Sequence, residues 1–118
     1  MTEITLSGRR PVDAYGPGGF RIDGAWHSGS LVLRPDGAQG FEGPLRPEVF
    51  EAVLARAAGI DVVLVGQGAE IAPLDRGIRA ALEAAGIGVE IMSTASACRT
   101  YNVLLAEDRR VAAVLVAL

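Results

Sequence analysis

Gly66-Gln67-Gly68 and the pair Arg99 and Asn102 are the residues whose types and spacing come nearest to a site. A glycine pair after an apolar run and before a helix lets main-chain amides approach an anion, with the partial positive charge of the helix N-terminus added. The dinucleotide fingerprint needs a third glycine where Ile71 stands, and no Gly-Lys-Ser/Thr follows, so the plainer reading is a tight strand-to-helix turn. Arg99 and Asn102 lie three apart in a helical stretch and could grip a carboxylate or phosphate together. They could equally bond carbonyls of the Gly66 to Glu70 loop, or pair with Glu70 or Asp108. The internal role outweighs the ligand role, because buried polar groups mostly satisfy other protein groups.

Other chemistries fare worse. Cys98 could act as a nucleophile if Arg99 and a helix N-terminus lowered its pKa, but it falls on the stripe facing the core. His27 is the only histidine and stands beside Trp26 in a hairpin, where nothing local orients it as a base. One histidine and one cysteine exclude a histidine- or thiolate-rich metal site by count. Asp13, Asp23, Asp36 and Asp61 read more simply as turn or cap residues. Trp26, Tyr15 and Phe20 suit a core or an interface better than a base-stacking platform. No catalytic set emerges and no cofactor is implied.

The bulk composition supports this. The chain has 118 residues, half of them hydrophobic and 21% charged, which fits one globular domain over residues 1–118. All 11 basic residues are arginine, and the net charge of -3 argues against a nucleic-acid binder, which needs a basic face. One free cysteine suits a reducing compartment. The N-terminus lacks the pattern of a signal peptide, and the most apolar stretch, Val111 to Leu118, is far shorter than the roughly 20 residues of a membrane span. The expected location is the cytoplasm, without membrane insertion.

The elements that must position these residues divide at about residue 45. Before it the pattern is β: Ile4 and Leu6 alternate with polar neighbours, Val12 to Tyr15 precedes the breaker Gly16 to Gly19, and Phe20 and Ile22 alternate ahead of the hairpin signal Asp23-Gly24. Ser30 to Arg34 is a strand closed by Pro35-Asp36-Gly37, and Ala38 to Leu45 reads as a loop. After it helix and strand alternate. A helix runs from Pro47 to Gly59, with Val49, Phe50, Val53, Leu54 and Ala57 on one face. Val62 to Val65 is a strand covered on both sides. A second helix starts at Pro73, turns Leu74, Ile78, Leu82 and Ala85 inward, and ends at Gly86. Val89-Glu90-Ile91 suits a strand near a sheet edge. Ser93 and Thr94 cap a third helix running to about Ala106, and its stripe Thr94, Cys98, Tyr101 and Leu105 faces the sheet. Val111 to Leu118 is a central strand. Such alternation predicts parallel crossovers, and the leading hairpins make the sheet mixed.

Several blocks along the chain also match a known pattern. These are Met92-Ser93-Thr94, Ala97 to Asn102 and Glu107 to Ala113, with Tyr15-Gly16, Phe20-Arg21-Ile22, Gly29-Ser30 and Val65 to Gly68 upstream. They resemble, nearly end to end, the family of domains of unknown function 498, which includes the mitochondrial complex I assembly factor 3. Two positions depart: Gln67 stands where threonine is more usual, and Glu107-Asp108 where Glu-Gly is common, which puts that turn's geometry in question. The resemblance implies an α/β fold of three layers, with a central mixed five-stranded sheet, helices on one side and an additional β-hairpin layer on the other. The final strand would lie antiparallel to its neighbours. The resemblance also implies no established catalysis and protein partners such as a respiratory-complex subunit; with no transit-peptide pattern at the start, a bacterial-type protein is expected, and a homodimer stays open. The leading expectation is a non-enzymatic interaction or assembly domain. The alternative is a small-ligand or anion site at Gly66, Gln67, Gly68, Arg99 and Asn102.

Overall fold

The computed structural model describes residues 2–4 and 9–118, and Leu6 of the first alternating stretch lies outside them. Among the described residues nine strands form two sheets. The larger has the order β1-β6-β5-β9-β7-β8, made of β1 (Thr2–Ile4), β5 (Ser30–Arg34), β6 (Gly37–Phe41), β7 (Val62–Gly66), β8 (Gly88–Met92) and β9 (Val111–Leu115). The smaller is the meander β2 (Val12–Gly16), β3 (Gly19–Ile22) and β4 (Ala25–Ser28). The helices are α1 (Glu51–Leu54), α2 (Arg76–Ala84) and α3 (Thr94–Ala106).

The expected mixed α/β architecture is present, with two corrections to its layering. The central sheet has six strands among the described residues, because Gly37 to Phe41 is a strand where a loop was expected. It pairs with β5 across the two-residue turn Pro35-Asp36 and with β1 on its other side. The helices do not share one side. Val32, Val63, Val65, Ala112 and Val114 point to the face covered by the 3-10 segment Pro47–Phe50 through Val49 and Phe50, by α1 through Val53, and by α2 through Ile78 and Leu82. Leu31, Leu33, Leu64, Ala113 and Leu115 point to the opposite face, covered by α3 through Ala97, Cys98 and Tyr101, and by the small sheet through Val12, Phe20 and Ile22.

Crossover handedness explains the division. From β7 the chain passes through α2 to β8 at the sheet edge, then returns through α3 to β9 on the far side of β7. A right-handed crossover places its helix on one face when moving one way and on the other when moving back. The central place of the strand expected from Val111 to Leu118 holds, but the strand stops at Leu115, with every residue from Val111 to Leu115 buried. Its direction is mixed: β9 is parallel to β7, as the crossover default expects, and antiparallel to β5, as the resemblance implies.

Local chemistry accounts for most boundaries. Asp23 and Gly24 both take positive φ, 53° and 79°, the two-residue turn whose twist matches a hairpin. α2 begins three residues after Pro73, because Asp75 is the N-cap and its carboxylate accepts the Ile78 N–H at 3.1 Å. Gly86 ends it at φ 81°. The helix expected from Pro47 to Gly59 is one α turn between two 3-10 segments, Pro47–Phe50 and Ala57–Gly59, though Val49, Phe50 and Val53 are buried as their spacing foretold. Ser93 caps α3 by accepting the Ser96 N–H, and the helix ends at Ala106. The following Asp108 adopts φ 59°, the left-handed position a glycine would take without strain.

Candidate functional site

β7 and β8 send their following loops to opposite faces of the sheet, and the crevice between diverging loops is where α/β proteins commonly bind ligands. Gly66-Gln67-Gly68 stands there. Its main-chain groups bond to the protein itself. The Gln67 N–H donates to the Met92 carbonyl at 2.9 Å, and the Gly68 N–H to Thr94 Oγ1 at 2.8 Å. The Gly66 carbonyl accepts the Val116 N–H at 2.9 Å, and the Gly68 carbonyl the Thr94 N–H at 2.9 Å. The Gln67 side chain accepts the Ala72 N–H at 2.7 Å, turning the loop toward α2. Gly68 has φ 81°, and a Cβ on Gly66 would lie 3.0 Å from Thr94 Cα and 3.1 Å from Ala97 Cβ. Glycine at 66 thus lets the first turn of α3 sit directly on the end of β7.

Thr94 is the centre of this crevice. It is fully buried, and its hydroxyl accepts from Gly68 while donating to the Val116 carbonyl at 2.6 Å. Three segments far apart in sequence therefore meet at one oxygen. The sequence places Thr94 as a cap candidate and on the stripe facing the sheet; Ser93 alone is the N-cap, and the bridging role of the buried Thr94 hydroxyl goes beyond either expectation.

Arg99 and Asn102 take separate partners. Asn102 Oδ1 accepts the Val12 N–H and Asn102 Nδ2 donates to the Val12 carbonyl, each at 2.8 Å. The amide reproduces the two-bond pattern of a neighbouring strand and closes the outer edge of β2. Arg99 is exposed and donates to Ser96 Oγ one turn back, at 3.3 Å. Among the described residues neither side chain bonds to the Gly66 to Glu70 loop, and Asp108 pairs with Arg9 at 3.2 Å. The structure brings Gly66 and Gly68 against the start of α3, while Asn102 is held two turns further along by another sheet.

Cys98 and Tyr101 lie on the core side of α3, as their stripe requires. Burial pushes the Cys98 thiol up to about 11, with the Arg99 charge offsetting only part of it. Burial likewise raises Tyr101 to about 12, against a smaller opposing effect of Arg9. A thiol held protonated is a poor nucleophile. Among the described residues no group of three or more His, Cys, Asp or Glu side chains is placed to hold a metal ion.

A separate cavity lies between β4 and the β5-β6 hairpin. It is a cleft of about 660 Å³ bordered by Trp26, His27, Ser28, Phe41, Glu42 and Arg46. Trp26 is 45% exposed and Tyr15 39%, whereas Phe20 is buried in the core, so the three aromatics form no common patch. Composition gives no sign of this cleft, because its walls come from positions that read separately as hairpin and loop.

Comparison with known proteins agrees with this geometry. A family model described as a protein of unknown function (DUF498/DUF598) matches residues 12–116. An uncharacterised protein of Rhodobacter capsulatus is 47% identical over 113 residues, covering 96% of this chain and 89% of that protein. The rat NADH dehydrogenase [ubiquinone] 1 alpha subcomplex assembly factor 3 is 31% identical over 109 residues, and this chain matches 59% of that factor's length. Among solved structures, a Bartonella henselae protein described as an outer membrane protein superposes with a TM-score of 0.92 at 42% identity, covering 96% of this chain and 98% of that one. With a matching model over most of its length and relatives this similar, the chain belongs to the DUF498/DUF598 family.

Proposed function

We propose that this chain is a non-enzymatic interaction domain that assists assembly of a respiratory complex in the cytoplasm, through direct contact with protein subunits. The observation that carries the reading is the use of the polar groups at the switch-point crevice. Both amides of Gln67 and Gly68, the Thr94 hydroxyl and the Asn102 amide are bonded within the fold, where a ligand site would hold groups in reserve. The likeness to complex I assembly factors suggests the class of partner. No helix among the described residues is long and apolar enough to cross a membrane, which suits a factor acting on subunits from the aqueous side.

The test is deletion of the gene in its native host, followed by native-gel analysis of the NADH:ubiquinone oxidoreductase. The expected outcome is a deficit of assembled complex with accumulated partial assemblies, restored by the intact chain. Normal assembly in the deletion strain would remove the reading.

An anion site at Gly66 to Gly68 with Arg99 and Asn102 would leave Arg99 as its one exposed charged group. That arrangement predicts a thermal shift that grows with phosphate or carboxylate concentration and disappears in Arg99→Ala.

A further inference from the structure

The small sheet has two edges, and they are finished differently. On β2 the Val12 N–H and C=O are closed by Asn102. On β4 the pairing alternates from the Asp23-Gly24 turn. Ile22 and Ala25 flank a two-residue turn and form the first hydrogen-bonded pair. Phe20 and His27 form the next, and the Gly29 N–H bonds to the Gly18 carbonyl at 2.7 Å in the same phase. Trp26 and Ser28 are therefore the non-bonded positions, and their N–H and C=O groups point away from β3. Among the described residues nothing pairs with them, and β4 has no second neighbour. These groups face the cleft that Trp26, Ser28 and Phe41 border.

We propose that this cleft is a docking groove for an extended segment of a partner protein, which adds to β4 as a fourth strand of the small sheet. The inference rests on the interaction reading above and assigns it a surface. An unpaired edge asks for carbonyls and amides alternating at strand spacing, which a polypeptide supplies and a metabolite does not. The groove adds side-chain selection. The exposed Trp26 and the half-buried Ile4 give apolar ground for one side chain of the incoming strand. Arg46 donates through Nη1 to the Glu42 and Pro44 carbonyls at 2.7 and 2.9 Å and pairs through Nε with Glu48 at 3.7 Å, which holds its Nη2 at the rim for a carboxylate. The chemistry selected is an extended segment that carries an apolar residue and, a few positions away, an acidic one. The β8 edge of the large sheet lacks such walls: the exposed Glu90 stands at its middle, a charge that discourages strand addition.

The test uses the whole chain as bait for a displayed library of random heptapeptides, followed by amide NMR with the enriched sequences. The expected result is enrichment of apolar–acidic peptides that protect the Trp26 and Ser28 amides from exchange. N-methylation at alternate peptide positions should weaken binding about tenfold or more, and methylation of the intervening positions should leave it intact. Ser28→Pro, which removes one outward N–H, should lower affinity similarly while the rest of the spectrum is preserved. The methylated peptides decide the matter even if that variant unfolds. Failure to enrich any peptide, binding insensitive to methylation phase, or amide changes confined to the α1–α2 side would overturn the proposal. So would a dimer in sedimentation that protects the same two amides, since the edge would then be taken by a second copy. If native subunits are captured equally by Ser28→Pro and by the unaltered chain, the interaction reading survives and this surface does not.

Discussion

At the scale of single residues, the polar side chains that looked most like a site join distant parts of the fold. Asn102→Ala would leave both main-chain groups of Val12 without partners in a half-buried place. The expected loss is about 1–3 kcal/mol of unfolding free energy in urea titration. Thr94→Val keeps the volume but orphans the Gly68 N–H and the Val116 carbonyl, so a loss of similar size is expected. A change of a few tenths for either variant would mean that these bonds contribute little. Asp108→Gly is expected to do the reverse. It relieves a left-handed position and gives up an exposed ion pair with Arg9, so stability should stay level or rise by up to about 1 kcal/mol. The sequence made Arg99 and Asn102 visible as a pair, because helical spacing is local. It could not show that Asn102 binds Val12, 90 positions away, since nothing in either neighbourhood encodes their meeting.

At the scale of elements, legibility followed the strength of the local signal. α3 was readable at both ends because a serine cap opens it and the charged Glu107 to Arg110 turn follows it. β9 was readable because five consecutive buried positions need two covering layers. β6 was missed because Gly37-Ala38-Gln39-Gly40-Phe41 has two glycines and no apolar alternation; its strand form comes from pairing with β1 and β5. The segment after Pro47 had the right apolar spacing, yet spacing alone does not separate one α turn flanked by 3-10 turns from a continuous helix. Gly66→Ala tests how tightly α3 is seated on β7. The added carbon would meet main-chain and side-chain atoms at 3.0 to 3.2 Å, so α3 must shift. A fall of about 1–3 kcal/mol is expected, with amide shifts concentrated at the start of α3. An unchanged spectrum would show that the helix has room to spare.

At the scale of the whole molecule, the two buried titratable groups of α3 set the alkaline limit of stability. Cys98 and Tyr101 titrate at about 11 and about 12 in the fold, above their ordinary values of 9.0 and 10.0. The unfolded chain thus releases these protons at lower pH than the folded chain, and rising pH favours unfolding. Stability is expected to be intact below about pH 9 and to fall between about pH 9 and 12, read as a declining urea midpoint. The double variant Cys98→Ala, Tyr101→Phe should flatten that decline, and an equally steep profile in it would place the cause elsewhere. The same burial predicts that Cys98 in the folded protein reacts with iodoacetamide at least tenfold more slowly than in urea.

On the function proposed above, this fold works by holding other proteins. In-cell photocrosslinking of the native chain, with the captured proteins identified by mass spectrometry, tests it most directly. The expected result is recovery of the same subunits of one respiratory complex in every replicate, with a yield that falls when assembly of that complex is complete. Recovery of no reproducible partner from cells in which the complex is actively being built would contradict it.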